Sequence, residues 1–441
     1  MRVVLRRAFL GLVLACSCLV SVSVAPASAA ATAPQQVVTA WYKLILELVR
    51  HTSNYSPPVA ARSFAYIGVS AYEAVASGSD NLQSLAGQLN RLKALPPRDK
   101  GAAYDDAVIL NTVMEFSVTR FFDRTGPTGQ HVMKKMAKKM DDQVSQGVAP
   151  DVVARSRAYG EAVSKAVLDW SQTDGGATVE NMGFPLDYKV SDKPGHWVPT
   201  SLIRQQQAPL LPEWGKVLPL AMPAGSTCRL PEPPAFSEKP DSEFYKDAHE
   251  VYTAVKGLTD EHRTIARFWS DDPMLSPTPP GHWVNIALIV LEQKKADLPT
   301  TVDTLARLGV ALSDSFIGCW DTKFVFDLIR PVTYIKKNID PSWDTLLITP
   351  PFPEYPSGHS TQSGAAAAAM THIFGDALAF DDATHEADGI KPRHFANFRA
   401  AAEEAAISRL YGGIHFRPAI ERGLTQGECI AGYVNALKTK K

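Results

Sequence analysis

Apolar residues recur at helical spacing along most of the chain. Within residues 35–51, for example, Val38, Trp41, Ile45 and Leu48 follow one another at intervals of three or four, which places them on one face of a helix. Similar patterns predict helices at residues 57–76, 107–122, 132–144, 152–170, 241–256, 260–269, 283–294, 301–326, 357–373, 394–411 and 419–436. No stretch alternates between apolar and polar residues for long enough to predict a strand. We therefore predict an all-α fold of helical bundles, with a small hairpin in residues 173–236 as the most strand expected.

The composition of the sequence changes at residues 173–236, where prolines and glycines are frequent. This composition predicts a long irregular segment, which either covers the mouth of a site or only connects two helical parts. We divide the chain into an N-terminal helical lobe at residues 31–172, this connector, and a C-terminal helical domain at 237–441. The 441 residues, 45% apolar and 21% charged, suit a globular protein with a sizeable core.

The first thirty residues have the pattern of a signal peptide. Arg2, Arg6 and Arg7 precede an apolar run at residues 8–24, and small residues at 27–29 form a cleavage motif. We predict a signal peptide at residues 1–30, a mature start at Ala30 or Ala31, and a secreted or extracytoplasmic protein. The alternative is a membrane anchor, but the apolar run is marginal for a span, and after cleavage we expect none.

Charge and cysteine content exclude several classes of protein. The formal net charge is -1 and no basic run occurs, so we expect no nucleic-acid partner. Of the five cysteines, Cys16 and Cys18 would leave with the signal peptide. Cys228, Cys319 and Cys429 allow at most one internal disulfide, or all three are free thiols. The chain has no C-x-x-C pair, so the cysteines do not predict a zinc site.

Three blocks in the C-terminal half combine residues suited to binding an oxyanion. In the first, Lys323 and Arg330 are seven residues apart, which would place both cations on one helical face, with Pro331 ending that helix. Such cations are stable together when an anion lies between them, although an ordinary solvated pair is the simpler interpretation of this block alone.

The second and third blocks add free backbone donors, a further cation and two histidines. Pro356-Ser357-Gly358-His359 precedes an alanine-rich helix, so Ser357 can cap the helix and its first N–H groups can bind an anion. Ser408-Arg409 is followed by Gly412-Gly413 and His415. Arg409 offers a planar fork for a tetrahedral oxyanion. Taken singly, each histidine could also be structural.

Together the three blocks, Lys-x6-Arg-Pro, Pro-Ser-Gly-His and Ser-Arg-x5-His, resemble the type-2 phosphatidic acid phosphatase and vanadium haloperoxidase superfamily. Three further sequence segments resemble the secreted bacterial haloperoxidase branch of this superfamily in particular. These segments are Phe268-Trp-Ser-Asp-Asp-Pro, Thr278-Pro-Pro-Gly-His-Trp283 and Thr349-Pro-Pro-Phe-Pro-Glu-Tyr-Pro-Ser-Gly-His-Ser360. The resemblance covers roughly residues 268–423. It implies a C-terminal bundle of this superfamily's type, with an extra N-terminal helical lobe.

The resemblance implies a role for each matched residue. Vanadate would be the cofactor, held by Lys323, Arg330, Arg409, the Ser357 hydroxyl and the Gly358 N–H. His415 would be its axial ligand and His359 the acid/base group. Asp271 or Asp272 would orient one of the arginines, and Trp320 and Phe352 would form an aromatic wall.

One position departs from the family pattern. The family often has Asp four residues after the final histidine, where it orients the ring, but this chain has Ala419 there. A backbone carbonyl or Glu421 could replace the missing partner.

Three functions follow as hypotheses. The first is a vanadate-dependent haloperoxidase that oxidises halide with hydrogen peroxide to hypohalous acid. The second is a secreted acid phosphatase that uses no cofactor, with His415 as nucleophile on a phosphate ester and His359 protonating the leaving group. The third, supported only by Ala419, is an exported non-catalytic helical protein with a decayed site.

Overall fold

The structure is a computed structural model that describes residues 32–441. The predicted signal peptide, with Cys16 and Cys18, lies outside the described residues. The N-terminal helices are α1 (Pro34–Arg50), α2 (Pro57–Ala76), α3 (Asp106–Phe121), α4 (Pro127–Val144) and α5 (Pro150–Ser171). The later helices are α6 (Gly176–Val179), α7 (Glu243–Lys256), α8 (Asp260–Phe268), α9 (Thr278–Gln293), α10 (Leu298–Phe326), α11 (Pro331–Asn338), α12 (Gly358–Phe374), α13 (Phe398–Tyr411) and α14 (Arg417–Asn435). The predicted all-α class is confirmed.

A single small hairpin is the sheet structure of the described residues. Strands β1 (Phe380–Asp382) and β2 (Arg393–Phe395) pair antiparallel, with Phe380 opposite Phe395. This hairpin lies outside residues 173–236, where a hairpin was allowed for. The helix expected from residue 394 begins only at Phe398, because the Asn397 side chain caps it by accepting the N–H of Ala400 at 2.8 Å.

The expected placement of Lys323 and Arg330 on one helix was wrong. Helix α10 ends at Phe326, and Asp327 follows in the left-handed conformation with φ 47°. Arg330 then stands immediately before α11, which begins at Pro331. Proline is favoured at a first helical position, since its missing N–H would have no intrahelical partner there. The two cations therefore approach the same region from different elements.

Helix α10 runs through the core and packs closely on α2. Nearly every residue from Thr301 to Lys323 is buried, and glycines permit the approach of the two backbones. A Cβ at Gly309 would lie 2.8 Å from the Ala65 Cα, and a Cβ at Gly68 would lie 2.7 Å from the Leu305 carbonyl oxygen. This contact joins the N-terminal helices to the later ones, and residues 32–441 form one compact unit.

The segment at residues 173–236 is mostly irregular and is anchored at several points. Asp314 on α10 accepts the N–H groups of Leu220, Ala221 and Met222 at 2.7, 2.8 and 2.9 Å. A disulfide joins Cys228 to Cys429 on α14, with a Cα–Cα distance of 6.0 Å. Cys319 is a buried free thiol, so the interpretation with one bridge is the one that the structure adopts.

None of the helices in the described part of the chain is both long enough and apolar enough to cross a bilayer.

Candidate active site

Lys323 lies in the last turn of α10 and is fully buried. Its Nζ donates to the carbonyls of Pro353 at 2.8 Å, Glu354 at 3.0 Å and Pro356. An ammonium has three protons, and here all three hold the loop before α12 against the end of α10. Lys323 therefore supplies positive charge as it stands, and it must release one carbonyl to contact an oxyanion directly.

Arg330 is fixed by two other backbone carbonyls. Its Nε donates to Phe352 at 2.8 Å, and its Nη1 donates to Ile414 at 2.9 Å and lies 3.2 Å from the His415 Nε2. Its Nη2 is buried and has no hydrogen-bond partner among the described residues. A buried donor without a partner is costly, so Arg330 retains a donor that suits a bound anion.

The loop that Lys323 holds leads into the first turn of α12. Pro356 follows Tyr355 through a cis peptide bond and precedes the cap. The Ser357 Oγ caps α12 by accepting the Ser360 N–H at 3.2 Å. The N–H groups of Gly358 and His359 donate to no acceptor within residues 32–441. Free N–H groups at a helix N-terminus bind anions, and Gly358 leaves room for one, because a Cβ there would meet nothing closer than Trp320 at 3.8 Å.

Arg409 lies near the end of α13 and is also buried. Its Nη1 donates to the Trp269 carbonyl at 2.8 Å, and its Nε has no partner in the described part of the chain. The expected carboxylate–arginine contact is not formed: among the described residues, neither Asp271 nor Asp272 forms an ion pair with an arginine. Asp271 instead faces histidines, with His282 Nδ1 at 2.9 Å and His359 Nε2 at 3.6 Å. Asp272 acts on Arg409 only through its charge.

His415 follows α13 after a turn in which Gly413 has φ 78°. Its Nδ1 donates to the Glu354 Oε1 at 2.8 Å, and the Phe416 N–H donates to the same oxygen at 2.9 Å. With the proton on Nδ1, the Nε2 beside Arg330 carries a lone pair. This is the tautomer that a histidine needs in order to ligate a metal centre through Nε2.

Glu354 is thus the partner of the His415 ring, a role that Ala419 cannot fill because it has no polar side chain. Neither suggested replacement takes this role: Nδ1 contacts the Glu354 side chain instead of a backbone carbonyl, and Glu421 pairs with Arg417 at 3.5 Å. Sequence reasoning missed Glu354 because it lies 61 residues before His415. The available signal was an acidic residue set between two prolines, just ahead of the Ser357-Gly358-His359 block.

Burial and mutual repulsion strain the cation cluster electrostatically. Burial lowers the pKa of Lys323 to about 7, of Arg330 to about 9 and of Arg409 to about 10. The charge of Arg330 adds to the effect on Lys323, and the charge of Arg409 adds to that on Arg330. Burial, and then the nearby cations, hold the pKa of His415 well below its usual range. A multiply charged anion would relieve this repulsion.

His359 is available as a neutral imidazole. Burial, and then the charge of Arg409, lower its pKa to about 4. Its side chain is 12% exposed while its Nε2 is buried, so the exposed part of the ring is on the other side. At neutral pH this ring can accept a proton.

An aromatic wall borders the cations. The centre of the Phe352 ring lies 5.2 Å from the Lys323 Nζ and 5.1 Å from the Arg330 Cζ, distances typical of cation–π contacts. Trp320 packs on Phe352 at 4.9 Å between ring centres, and its Nε1 donates to the Leu210 carbonyl at 3.1 Å. Trp320 and Phe352 therefore lie together, and residue 210 of the irregular segment lies behind them.

The residues present fit an oxyanion such as vanadate. The site combines three buried cations, unused donors on Arg330 and Arg409, free N–H groups at the start of α12, and a histidine lone pair. The role of each side chain toward individual oxygens stays a prediction.

Comparisons with known proteins agree with this fold. A family model described as the second helical-bundle domain of VCPO matches residues 303–440. The chain is similar to a structure described as the first bacterial vanadium-dependent iodoperoxidase, with 36% identity, a TM-score of 0.83, and coverage of 92% of this chain and 97% of that one. The chain therefore belongs to the vanadium-dependent haloperoxidases, a family of enzymes.

The chain is also similar to more distant relatives. The vanadium chloroperoxidase of Curvularia inaequalis is 26% identical over 355 residues, which cover 61% of this chain and 58% of the fungal enzyme. A bacterial vanadium-dependent chloroperoxidase in its holo form is 16% identical, with a TM-score of 0.69 and coverage of 88% and 93%. At that identity the likeness concerns the fold alone.

Proposed function

We propose that this chain is a vanadate-dependent haloperoxidase that oxidises halide with hydrogen peroxide to hypohalous acid, and that iodide is its preferred halide. The observation that carries the proposal is the state of His415, whose Nε2 lies 3.2 Å from Arg330 Nη1 while Glu354 holds the opposite nitrogen at 2.8 Å. The iodide preference is supported by the similarity to the bacterial iodoperoxidase, which is higher than that to the chloroperoxidases.

Lys323, Arg330 and Arg409 would hold vanadate by charge, while the N–H groups at the start of α12 would donate to its oxygens. His415 would bind it through Nε2. Bound vanadate supplies the activation of hydrogen peroxide toward attack by halide. The fixed cations stabilise the negative charge without reorganising, because carbonyls and packing already hold them.

His359 would manage protons in the reaction. Neutral His359 takes up a proton as peroxide enters and returns it to the oxygen that leaves as water. Overall, the O–O bond of peroxide breaks, one oxygen bonds to the halide, and the other is reduced to water. The halide loses two electrons, and one proton is consumed to give hypohalous acid.

A histidine nucleophile acting on a phosphate ester remains the second candidate. Glu354 favours it as well, because a carboxylate on Nδ1 would also orient an attacking imidazole. The two chemistries use the same anion cluster, since vanadate resembles a phosphoryl group in transfer.

One assay on purified protein separates the two functions. Oxidation of iodide, bromide and chloride by hydrogen peroxide is measured with and without added orthovanadate, beside hydrolysis of p-nitrophenyl phosphate. We expect iodide oxidation that requires vanadate and fails in His415→Ala. Hydrolysis that vanadate inhibits, without halide oxidation, would establish the phosphatase instead.

We also propose that the protein acts outside the cytoplasm. The N-terminal sequence pattern and the Cys228–Cys429 disulfide support this, because disulfides persist in oxidising compartments. Mass spectrometry of protein recovered from the extracytoplasmic fraction should find a chain that starts at Ala30 or Ala31. A chain that keeps residues 1–29 and stays in the cytoplasm would contradict export.

A further inference from the structure

A buried histidine behind His359 is held between two carboxylates. His282 is the fifth residue of α9 and is fully buried. Its Nδ1 is 2.9 and 3.1 Å from the two oxygens of Asp271, and its Nε2 is 2.8 Å from the Asp382 Oδ2 on β1. The ring also stacks on Trp269, with 4.3 Å between ring centres. Both nitrogens are therefore committed to partners on different elements.

Asp271 is the carboxylate that faces His359. Its Oδ2 lies 3.6 Å from the His359 Nε2, slightly beyond hydrogen-bond distance. Its backbone has φ 50°, a left-handed conformation that is unfavourable for a residue with a side chain. The surroundings must maintain this conformation, and the strongest contacts of the carboxylate are those with His282.

We propose that His282 is a positioning residue, which holds the Asp271 carboxylate toward His359 and is itself held by Asp382. In this arrangement the β1–β2 hairpin is connected to the acid/base group through side chains alone. The inference rests on the proposed function only in assigning acid/base chemistry to His359.

The pKa values of His282 and Asp271 agree with this arrangement of contacts. Burial alone would lower the pKa of His282, but the carboxylates of Asp271 and Asp382 outweigh burial and raise it to about 10. Burial would raise the pKa of Asp271, but the charge of His282 and the hydrogen bonds of His282 and His385 hold that pKa well below its usual range. His282 is thus an imidazolium that donates to both carboxylates.

A metal ion is the other chemistry that this cluster could support. Asp271, His282 and His385 offer ligand atoms that lie within 4.8 Å of one another. Metal ligation requires a deprotonated imidazole nitrogen, whereas His282 donates from both nitrogens and His385 Nδ1 is 3.0 Å from Asp388. The contacts therefore favour a protonated His282 over a bound metal ion, and the experiments below include a measurement of metal content.

Two substitutions of His282 distinguish positioning from packing. The amide nitrogen of Asn occupies roughly the place of a histidine Nδ1, and that of Gln roughly the place of Nε2. His282→Asn therefore keeps a donor toward Asp271, whereas His282→Gln keeps one toward Asp382. If His282 only filled space, the smaller Asn would leave the larger cavity and be the worse replacement.

Steady-state kinetics of the vanadate-loaded enzyme give the first readout. We expect kcat to fall about 10–100-fold in His282→Gln, the range for residues that orient a site group, and to fall much less in His282→Asn. The KM for peroxide and the vanadate affinity should stay within about twofold in both variants. Equal losses of kcat, or a larger loss in His282→Asn, would overturn the inference.

Asp382→Asn provides a second variant if His282→Asn does not fold, because it leaves the His282–Asp271 contact in place. Its matched control is Asp381→Asn, one residue earlier on β1, where the carboxylate is exposed and pairs with His394 at 2.7 Å. We expect Asp382→Asn to lower kcat less than His282→Gln does but more than the control does, because the His282–Asp271 contact remains while its support from Asp382 is weakened. A loss as large as that of His282→Gln would contradict the assigned order of contacts.

Nitrogen-15 NMR of the histidine rings in vanadate-free protein tests the inference without turnover. His282 should have both ring nitrogens protonated, and the His359 signals should change in His282→Gln but not in His282→Asn. Identical His359 signals in all three proteins, or one equivalent of a divalent metal retained after dialysis against chelator, would overturn it. A wild-type enzyme that oxidises no halide would instead refute the proposed function and leave this comparison valid.

Discussion

The Glu354–His415 pair determines which nitrogen of His415 is free. Glu354 is fully buried, and burial raises its pKa to about 7, although the charges of Arg330 and Lys323 oppose that rise. Its Oε1 accepts from both the His415 ring and the Phe416 N–H. One carboxylate oxygen therefore fixes the ring and the start of the chain segment that follows.

Replacing Glu354 should weaken vanadate binding, because Glu354 orients the His415 ring. Glu354→Ala removes the acceptor for Nδ1, and we expect vanadate affinity to fall about 10–100-fold. Glu354→Gln retains an amide oxygen that can accept the same two N–H groups, so its loss should be smaller. Isothermal titration calorimetry measures both, and equal affinity in Glu354→Ala and wild type would contradict the role of Glu354.

The low pKa of His359 predicts a pH dependence of stability. Folded His359 has a pKa of about 4, whereas the unfolded side chain titrates near 6.5. As pH falls from about 6.5 to about 4, the unfolded state takes up a proton that the folded state does not, so stability is lost in that window. Relative to His359→Gln, vanadate-free wild type should lose up to about 3 kcal/mol more.

Urea unfolding at several pH values measures this difference, with the exposed His394→Gln as a control that should follow wild type. Parallel stability curves for wild type and His359→Gln would contradict the buried neutral state of His359.

At the scale of elements, the site depends on where helices end. The break after α10 and the start of α11 bring Lys323 and Arg330 to the site from separate helices, and the N-terminus of α12 supplies backbone donors. The close packing of α2 on α10 fixes the position of α10. Gly309 makes this possible, because any side chain there would collide with backbone atoms.

Gly309→Ala should therefore destabilise the protein by about 1–3 kcal/mol, the usual effect of overpacking a core. Gly432→Ala on α14 is the matched control, since nothing lies within 4 Å of the added Cβ. That change should stabilise the protein by up to about 1 kcal/mol through helix propensity. Thermal unfolding checks both, and similar effects of the two substitutions would disprove the close contact.

At the scale of the whole molecule, one disulfide joins distant parts of the sequence. Cys228 and Cys429 are separated by 201 residues, so the bridge restricts the unfolded chain strongly. Reduction, or Cys228→Ser with Cys429→Ser, should lower the free energy of unfolding by about 2–5 kcal/mol. The double variant should be insensitive to reductant, whereas an unchanged melting temperature in fully reduced wild type would contradict a stabilising bridge.

The sequence predicted the helical class because helical spacing is a local pattern, and the three blocks could be recognised because each motif is short and local. It did not predict that Glu354 meets His415, that Asp271 faces histidines, or that His282 links it to Asp382. Those contacts depend on tertiary packing between segments far apart in the chain. The boundaries proposed at residues 172 and 236 stay predictions, since residues 32–441 form one compact unit.

The central claim is that an oxyanion binds among Lys323, Arg330, Arg409 and His415. Calorimetric titration with orthovanadate tests it most directly, comparing wild type with His415→Ala and with the exposed His394→Ala. We predict one site per chain in wild type and in the control, and an affinity at least about tenfold weaker in His415→Ala. Equal vanadate affinity in all three proteins would contradict the site.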